Sequence, residues 1–153
     1  MSANVKHLTS IVVLNYNAGD LLLNCIESVY KTQTHKFEVI VVDNISTDSS
    51  HKKCKEKFPQ IRLIENKENL GYCEGNNVGI RNANGEFIVI LNPDTKVESN
   101  WLEELFNAYE KFGDGLYQPK IIAFEDNLFE SGGNMLQMFG FGYSKGRGMP
   151  DLG

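Results

Sequence analysis

Three places in the sequence set amides or carboxylates directly behind a short apolar run. Asn15 and Asn17 follow Ile11-Val12-Val13-Leu14, Asp43 and Asn44 follow the run ending at Val42, and Asn92 and Asp94 follow Phe87 to Leu91. A carboxylate is not stable unpaired inside an apolar layer, because burying a lone charge is costly. Asp43 and Asp94 are therefore expected at strand exits, within reach of water, a cation or a phosphate-bound metal. Amides and carboxylates gathered there suit a neutral base and sugar hydroxyls, which carry both donors and acceptors. Asp94, together with water and substrate phosphates, suits Mg2+ or Mn2+, hard ions that take one or two carboxylates and fill their shells with phosphate oxygens. For Asn17 and Asn44 taken singly, a turn former or helix cap is the commoner role.

The segments that must position these residues alternate in type. Ile11 to Leu14 reads as a strand, and Asp20 caps a helix to about Lys31 whose apolar face holds Leu22, Cys25, Ile26, Val29 and Tyr30. Phe37 to Val42 is a second strand. Ser46, Thr47 and Asp48 open a polar helix that Pro59 stops, and Ile61 to Ile64 is a third strand. A helix from about Glu74 to Asn82 ends before Asn84-Gly85, and Phe87 to Leu91 is a fourth strand. Ser99 caps a helix that turns Leu102, Leu105, Phe106 and Tyr109 inward, and Tyr117 to Phe124 is a fifth strand, broken or at an edge because of Pro119. This order implies an α/β fold with a mostly parallel sheet and helices on both faces. Its three polar strand ends then converge on one edge, where open α/β sheets place ligands. The pattern separates residues 1–124, an α/β domain, from residues 125–153, which are rich in Gly, Met and Phe with weak periodicity.

The chain has 153 residues and a net charge of -5, so it offers one domain with a real core and no basic field for nucleic acid. Cys25, Cys54 and Cys73 lie far apart without metal-ligand or disulfide spacing, which fits reduced thiols. His7, His35 and His51 share no ligand spacing, and surface positions are expected for all three. No stretch has the length of a signal peptide or of the roughly 20 apolar residues of a membrane span. A cytoplasmic location follows as the expectation, compatible with peripheral docking at the inner membrane face. No dinucleotide fingerprint, P-loop, nucleophile elbow or zincin helix is present.

The polar blocks resemble a known family. Ile11 to Asn17, then Val41-Val42-Asp43-Asn44 with Ser46-Thr47-Asp48, resembles the nucleotide half of family 2 glycosyltransferases, which have the Rossmann-like GT-A fold. Asn69-Leu70-Gly71-Tyr72 with Gly75 to Ile80 resembles the next block of that family. Leu91-Asn92-Pro93-Asp94-Thr95 resembles its metal motif, in the Asn-x-Asp form of rhamnosyltransferase-like members. The resemblance covers about residues 8 to 150 and implies a nucleotide-diphospho-sugar donor. It implies a donor-binding set of Asn15, Asn17, Asp43, Asn44, Gly71, Asn76, Asn92 and Asp94, with Asp94 holding Mg2+ or Mn2+. Asn15 and Asp43 would border the nucleoside, and Asn76 stands where many members carry an arginine. Asn92, an amide in place of the first acid of the commoner motif, would touch the sugar or a metal-bound water.

The resemblance further implies inverting transfer to a glycan, lipid-linked or protein acceptor, which needs a general base to deprotonate the acceptor hydroxyl. In the family that carboxylate lies well downstream of the metal motif, so it is expected beyond Gly153, with the chain truncated. Glu125, Asp126 and Glu130 read as acids of a solvated turn. Gly132-Gly133 and Gly146-Arg147-Gly148 resemble segments leading toward the acceptor; Lys145 and Arg147 could approach the diphosphate, and a surface loop is the commoner role for such residues. Met135, Met138, Phe139, Phe141 and Tyr143 fit half of an interface, with the missing portion or in a homo-oligomer. The alternative function is a nucleotide-sugar-binding module without catalytic activity of its own.

Overall fold

Three runs rich in β-branched residues and one short mixed segment form one parallel sheet. A computed structural model describes residues 7–32, 35–124, 128–131, 134–136, 142–144 and 147–150. The sheet contains β1 (Thr9–Asn15), β2 (Phe37–Asp43), β3 (Arg62–Glu65) and β4 (Phe87–Leu91) in the order β3-β2-β1-β4. Helices α1 (Asp20–Val29), α2 (Ser50–Lys57) and α3 (Gly71–Arg81) connect the strands, and α4 (Trp101–Phe112) follows β4. The register sets Asn15 beside Asp43 and Asp43 beside Glu65, while β4 ends at Leu91 opposite Val13.

Every residue of β1 is buried, as the central strand of a sheet covered on both faces must be. On one face Val12, Leu14, Ile40 and Val42 pack with Ile64, Val78 and Ala83. Gly75 and Gly79 bring α3 close here, since a Cβ on Gly79 would lie 2.3 Å from Val12 Cγ1 and one on Gly75 2.5 Å from Leu14 Cδ1. Ile11, Val13, Val39 and Val41 alternate to the other face and are also buried. Asn15, which shares that face, bonds Ser50 at the start of α2, and α1 packs beside α2. Burying each such Val or Ile side chain contributes about 1.5–3 kcal/mol.

The chain divides into two units, Met1–Glu103 and Glu104–Gly153. In the second, β5 (Ile121–Ile122) pairs antiparallel with β6 (Phe129–Ser131), and β7 (Asn134–Leu136) pairs with β8 (Gly142–Ser144). The expected fifth strand thus shrinks to two residues beyond Pro119, which lacks the N–H a ladder needs.

Helix starts differ from expectation. Asp20 does not cap α1, because Gly19 holds the cap position and Asp20 is the first helical residue. Ser46 to Asp48 do not begin a helix, because Ile45 and Ser49 take left-handed φ values of 62° and 59° and keep the chain in a loop until Ser50. The third helix begins earlier, at Gly71, whose N–H donates to Asn69 Oδ1. Histidine 51 departs furthest from its expected surface position: it is 4% exposed.

Candidate functional site

After three strands the chain runs outward from β1 through β2 to β3, and it then returns to place β4 on the other side of β1. Between β1 and β4 the strand order reverses, and parallel sheets open a ligand crevice beyond the carboxyl ends at such a point. Asn15, Tyr16 and Asn17 leave β1 there, and Asn92, Pro93 and Asp94 leave β4.

The β1 and β2 exits form a buried polar scaffold. Asn15 is fully buried, and its Nδ2 donates to Asp43 Oδ1 at 2.8 Å, Ser46 Oγ at 3.0 Å and Ser50 Oγ at 2.9 Å. Asp43, 2% exposed, also accepts from the Ser46 N–H on Oδ2 at 2.9 Å. These donors offset the cost of its buried charge. Asn15 Oδ1 is buried with no hydrogen-bond partner among the described residues.

Asn17 and Asp48 stitch the first two loops together. Asn17, at φ 53°, accepts on Oδ1 from the Thr47 N–H at 2.8 Å. Asp48 accepts from the Gly19 N–H and from the Ser50 N–H and hydroxyl. Desolvation opposes the charge of Asp48, yet the Ser50 and Gly19 donors and nearby His51 outweigh it and hold the carboxyl below the ordinary aspartate range.

Asn44 ties the scaffold to the β3–α3 loop. Its Oδ1 accepts from Asn66 Nδ2 at 2.8 Å, and its Nδ2 donates to Asn69 Oδ1 and the Gly71 carbonyl, both at 3.1 Å. Asn76 is 3% exposed and donates to the Tyr72 carbonyl of its own helix, leaving Oδ1 buried without a partner among the described residues.

The β4 exit is different. Asn92 and Asp94 are exposed. The Thr95 N–H donates to the Asn92 carbonyl and closes a turn that turns Asp94 out from the sheet edge. Tyr72 at the start of α3 donates its hydroxyl to Asn92 Oδ1 at 3.1 Å, and Tyr16 at the β1 exit is 55% exposed. Beneath this exit Cys25 is 1% exposed, with Sγ 3.5 Å from the Asn92 carbonyl. Burial, then the charges of Asp94 and Cys54, pushes its thiol up to about 12.

The structure therefore brings Asn15, Asn17, Asp43 and Asn44 into one network, with Gly71 joined through Asn44. It places Asn92 and Asp94 at the adjoining exit and buries Asn76 within α3. His51 was missed as a surface residue. Its signal was spacing, since His51, Cys54 and Phe58 form an inward stripe on an otherwise polar helix.

Among the described residues no group of three or more His, Cys, Asp and Glu is placed to hold a metal ion by itself. The single exposed carboxylate of Asp94 instead fits an ion that arrives with a diphosphate and takes most of its ligands from phosphate and water. Glu130 pairs with Arg147 at 2.8 Å. Glu125, Asp126, Gly132, Gly133, Lys145, Gly146, Met138, Phe139 and Phe141 lie outside the described residues, as do the side chains of Met135 and Tyr143. No helix among the described residues is long and apolar enough to cross a membrane.

Comparison with known proteins bears on the family and the fold. The model of the family described as glycosyl transferase family 2 matches residues 10–150. Glycosyltransferase GlyG of Streptococcus pneumoniae is 34% identical over 134 residues, which cover 85% of this chain and 43% of that protein. The chain thus spans less than half the length of this relative. Staphylococcus aureus TarS in complex with UDP-GlcNAc superposes with a TM-score of 0.62 at 20% identity, covering 76% of this chain and 41% of that one. The mannosyltransferase PcManGT of Pyrobaculum calidifontis, in complex with GDP-Man and Mn2+, gives a TM-score of 0.61 at 26% identity, covering 77% and 36%. The fold is that of the GT-A glycosyltransferases.

Proposed function

This chain belongs to glycosyl transferase family 2, and on that premise we propose that its switch-point crevice binds a nucleotide-diphospho-sugar for transfer to a glycan, lipid-linked or protein acceptor. The observation that carries the reading is the juxtaposition of the β1 and β4 exits in a β3-β2-β1-β4 sheet, with Asp94 exposed at that point. The nucleotide-sugars bound by TarS and PcManGT support a donor of the same class.

The donor-binding set divides by role. Asn15, Asn17, Asp43, Asn44 and Gly71 hold the loops that border the nucleoside, while the exposed Tyr16 ring offers a face on which a base stacks. Asn92 meets the sugar, its side-chain Oδ1 being engaged by the Tyr72 hydroxyl. Asp94 holds Mg2+ or Mn2+ together with the diphosphate. The ion, when bound, offsets charge building on the departing nucleotide. Transfer is inverting in this reading. Residues 125–153 belong to the acceptor side, and peripheral membrane association and self-association through that region are parts of the same proposal.

Calorimetric titration with UDP-, GDP- and dTDP-sugars, with and without Mn2+, tests the reading. Binding to at least one donor, strengthened by Mn2+, is expected. Failure to bind any of them in either condition would overturn it.

A further inference from the structure

His51 has no part in the roles assigned above, yet it is buried between two carboxylates. Its Nδ1 lies 3.3 Å from Asp43 Oδ1 and its Nε2 lies 3.3 Å from Glu65 Oε1. Asp43 and Glu65 are register partners at the ends of β2 and β3, so one ring from α2 spans two adjacent strand ends. A buried histidine more often donates one hydrogen bond and packs its other edge. Here both nitrogens face carboxylate oxygens, so the ring is held between the two strand ends from both edges. The Nδ1 contact is close but is not aligned as a hydrogen bond.

The two carboxylates face different surroundings. The Asp43 side chain is 3% exposed and anchors Asn15 and the Ser46 N–H, whereas the Glu65 side chain is 58% exposed. Glu65 directly precedes Asn66, whose N–H donates to the Asp43 carbonyl at 2.9 Å and whose Nδ2 holds Asn44. A disturbance at the surface of the β3–α3 loop therefore has a short polar route to the carboxylate beneath the β1 exit.

We infer that His51 is a positioning residue of the donor site, fixing the Asp43 carboxylate and coupling it through Glu65 to the β3–α3 loop. The donor-site part of this inference rests on the nucleotide-sugar reading of the crevice.

Glu65→Gln alters the clamp at an exposed position without touching the core. The Ser46 amide resonance in two-dimensional NMR spectra reports on Asp43, its acceptor. Glu65→Gln is expected to move that resonance when His51 is present and to leave it in place in a His51→Gln background. Equal movement in both backgrounds, or none in either, would overturn the coupling. In titrations with UDP and GDP in the presence of Mn2+, His51→Leu is expected to weaken binding roughly three- to tenfold, the scale of a lost polar contact. His51→Gln should restore part of that loss, and an Asp43→Asn background should abolish it. Losses that simply add, with no rescue by glutamine, would show that the ring only fills space. Should the wild-type chain bind neither nucleotide, the donor reading fails, while the Ser46 resonance still decides the clamp.

Discussion

At the ends of β1 and β2, Asn15, Asp43 and Asn44 are at most 2% exposed, and each side chain is tied to a neighbouring strand end or loop. At the end of β4, Asn92 and Asp94 stand exposed, with Asn92 joined to Tyr72 across the mouth. Both regions are strands that run into amides and acids, so residue type alone does not explain the difference. Sheet position does. β1 and β2 each lie between two strands, and the loops that leave them close over one another. β4 pairs with β1 alone among the described strands and stops at Leu91 opposite Val13. The same chemistry is therefore spent on holding loops in one place and presented to solvent in the other.

The contrast breaks most easily at Asn44. Alanine there removes the acceptor of Asn66 Nδ2 and the donor to Asn69 and Gly71 in a buried setting. A loss of about 2–3 kcal/mol in urea unfolding is expected, the range for orphaning buried polar groups. Asn92→Ala at the exposed exit should stay within about 0.5 kcal/mol. Similar losses at the two positions would erase the distinction between scaffold and presentation.

A smaller effect sharpens the same distinction through pH. Asp48 has a folded-state carboxyl held below its ordinary range by Ser50, Gly19 and His51, against the cost of desolvation. The folded chain then releases that proton more readily than the unfolded chain. The resulting stability is fully present above the ordinary aspartate range and is lost as pH falls through the lowered folded value. Asp48→Asn should therefore destabilise near neutrality, with the gap to wild type narrowing on acidification below about pH 4. A gap that widens in acid would contradict the role of these donors.

Much of this was legible in the sequence, for physical reasons that differ by residue. The strands β1, β2 and β4 announce themselves as β-branched runs, and their alternation with helices implies the parallel order. The strand-exit residues were found because a polar group after such a run needs an explanation. What those residues do was not legible. Asp43 directly follows its apolar run and Asp94 lies three residues past its own, but the register, Asp43 beside Asn15 and Glu65, is what makes the first an anchor. For His51 the spacing with Cys54 and Phe58 carries its burial but not its partners, which come from β2 and β3. The start of α2 was misplaced because Ile45, a β-branched residue, takes a left-handed conformation that propensity argues against.

The division between anchor and presented carboxylate is tested most directly by the Mn2+ dependence of nucleotide binding in Asp94→Ala, measured beside Asp43→Asn. In Asp94→Ala the Mn2+-dependent part of the affinity for UDP or GDP should fall on the order of ten- to a hundredfold, with the melting temperature within about 2 °C of wild type. In Asp43→Asn the melting temperature should drop while Mn2+ still strengthens whatever binding remains. Full Mn2+ dependence in Asp94→Ala, or its loss in Asp43→Asn alone, would contradict the assignment of the metal-facing role to the β4 exit.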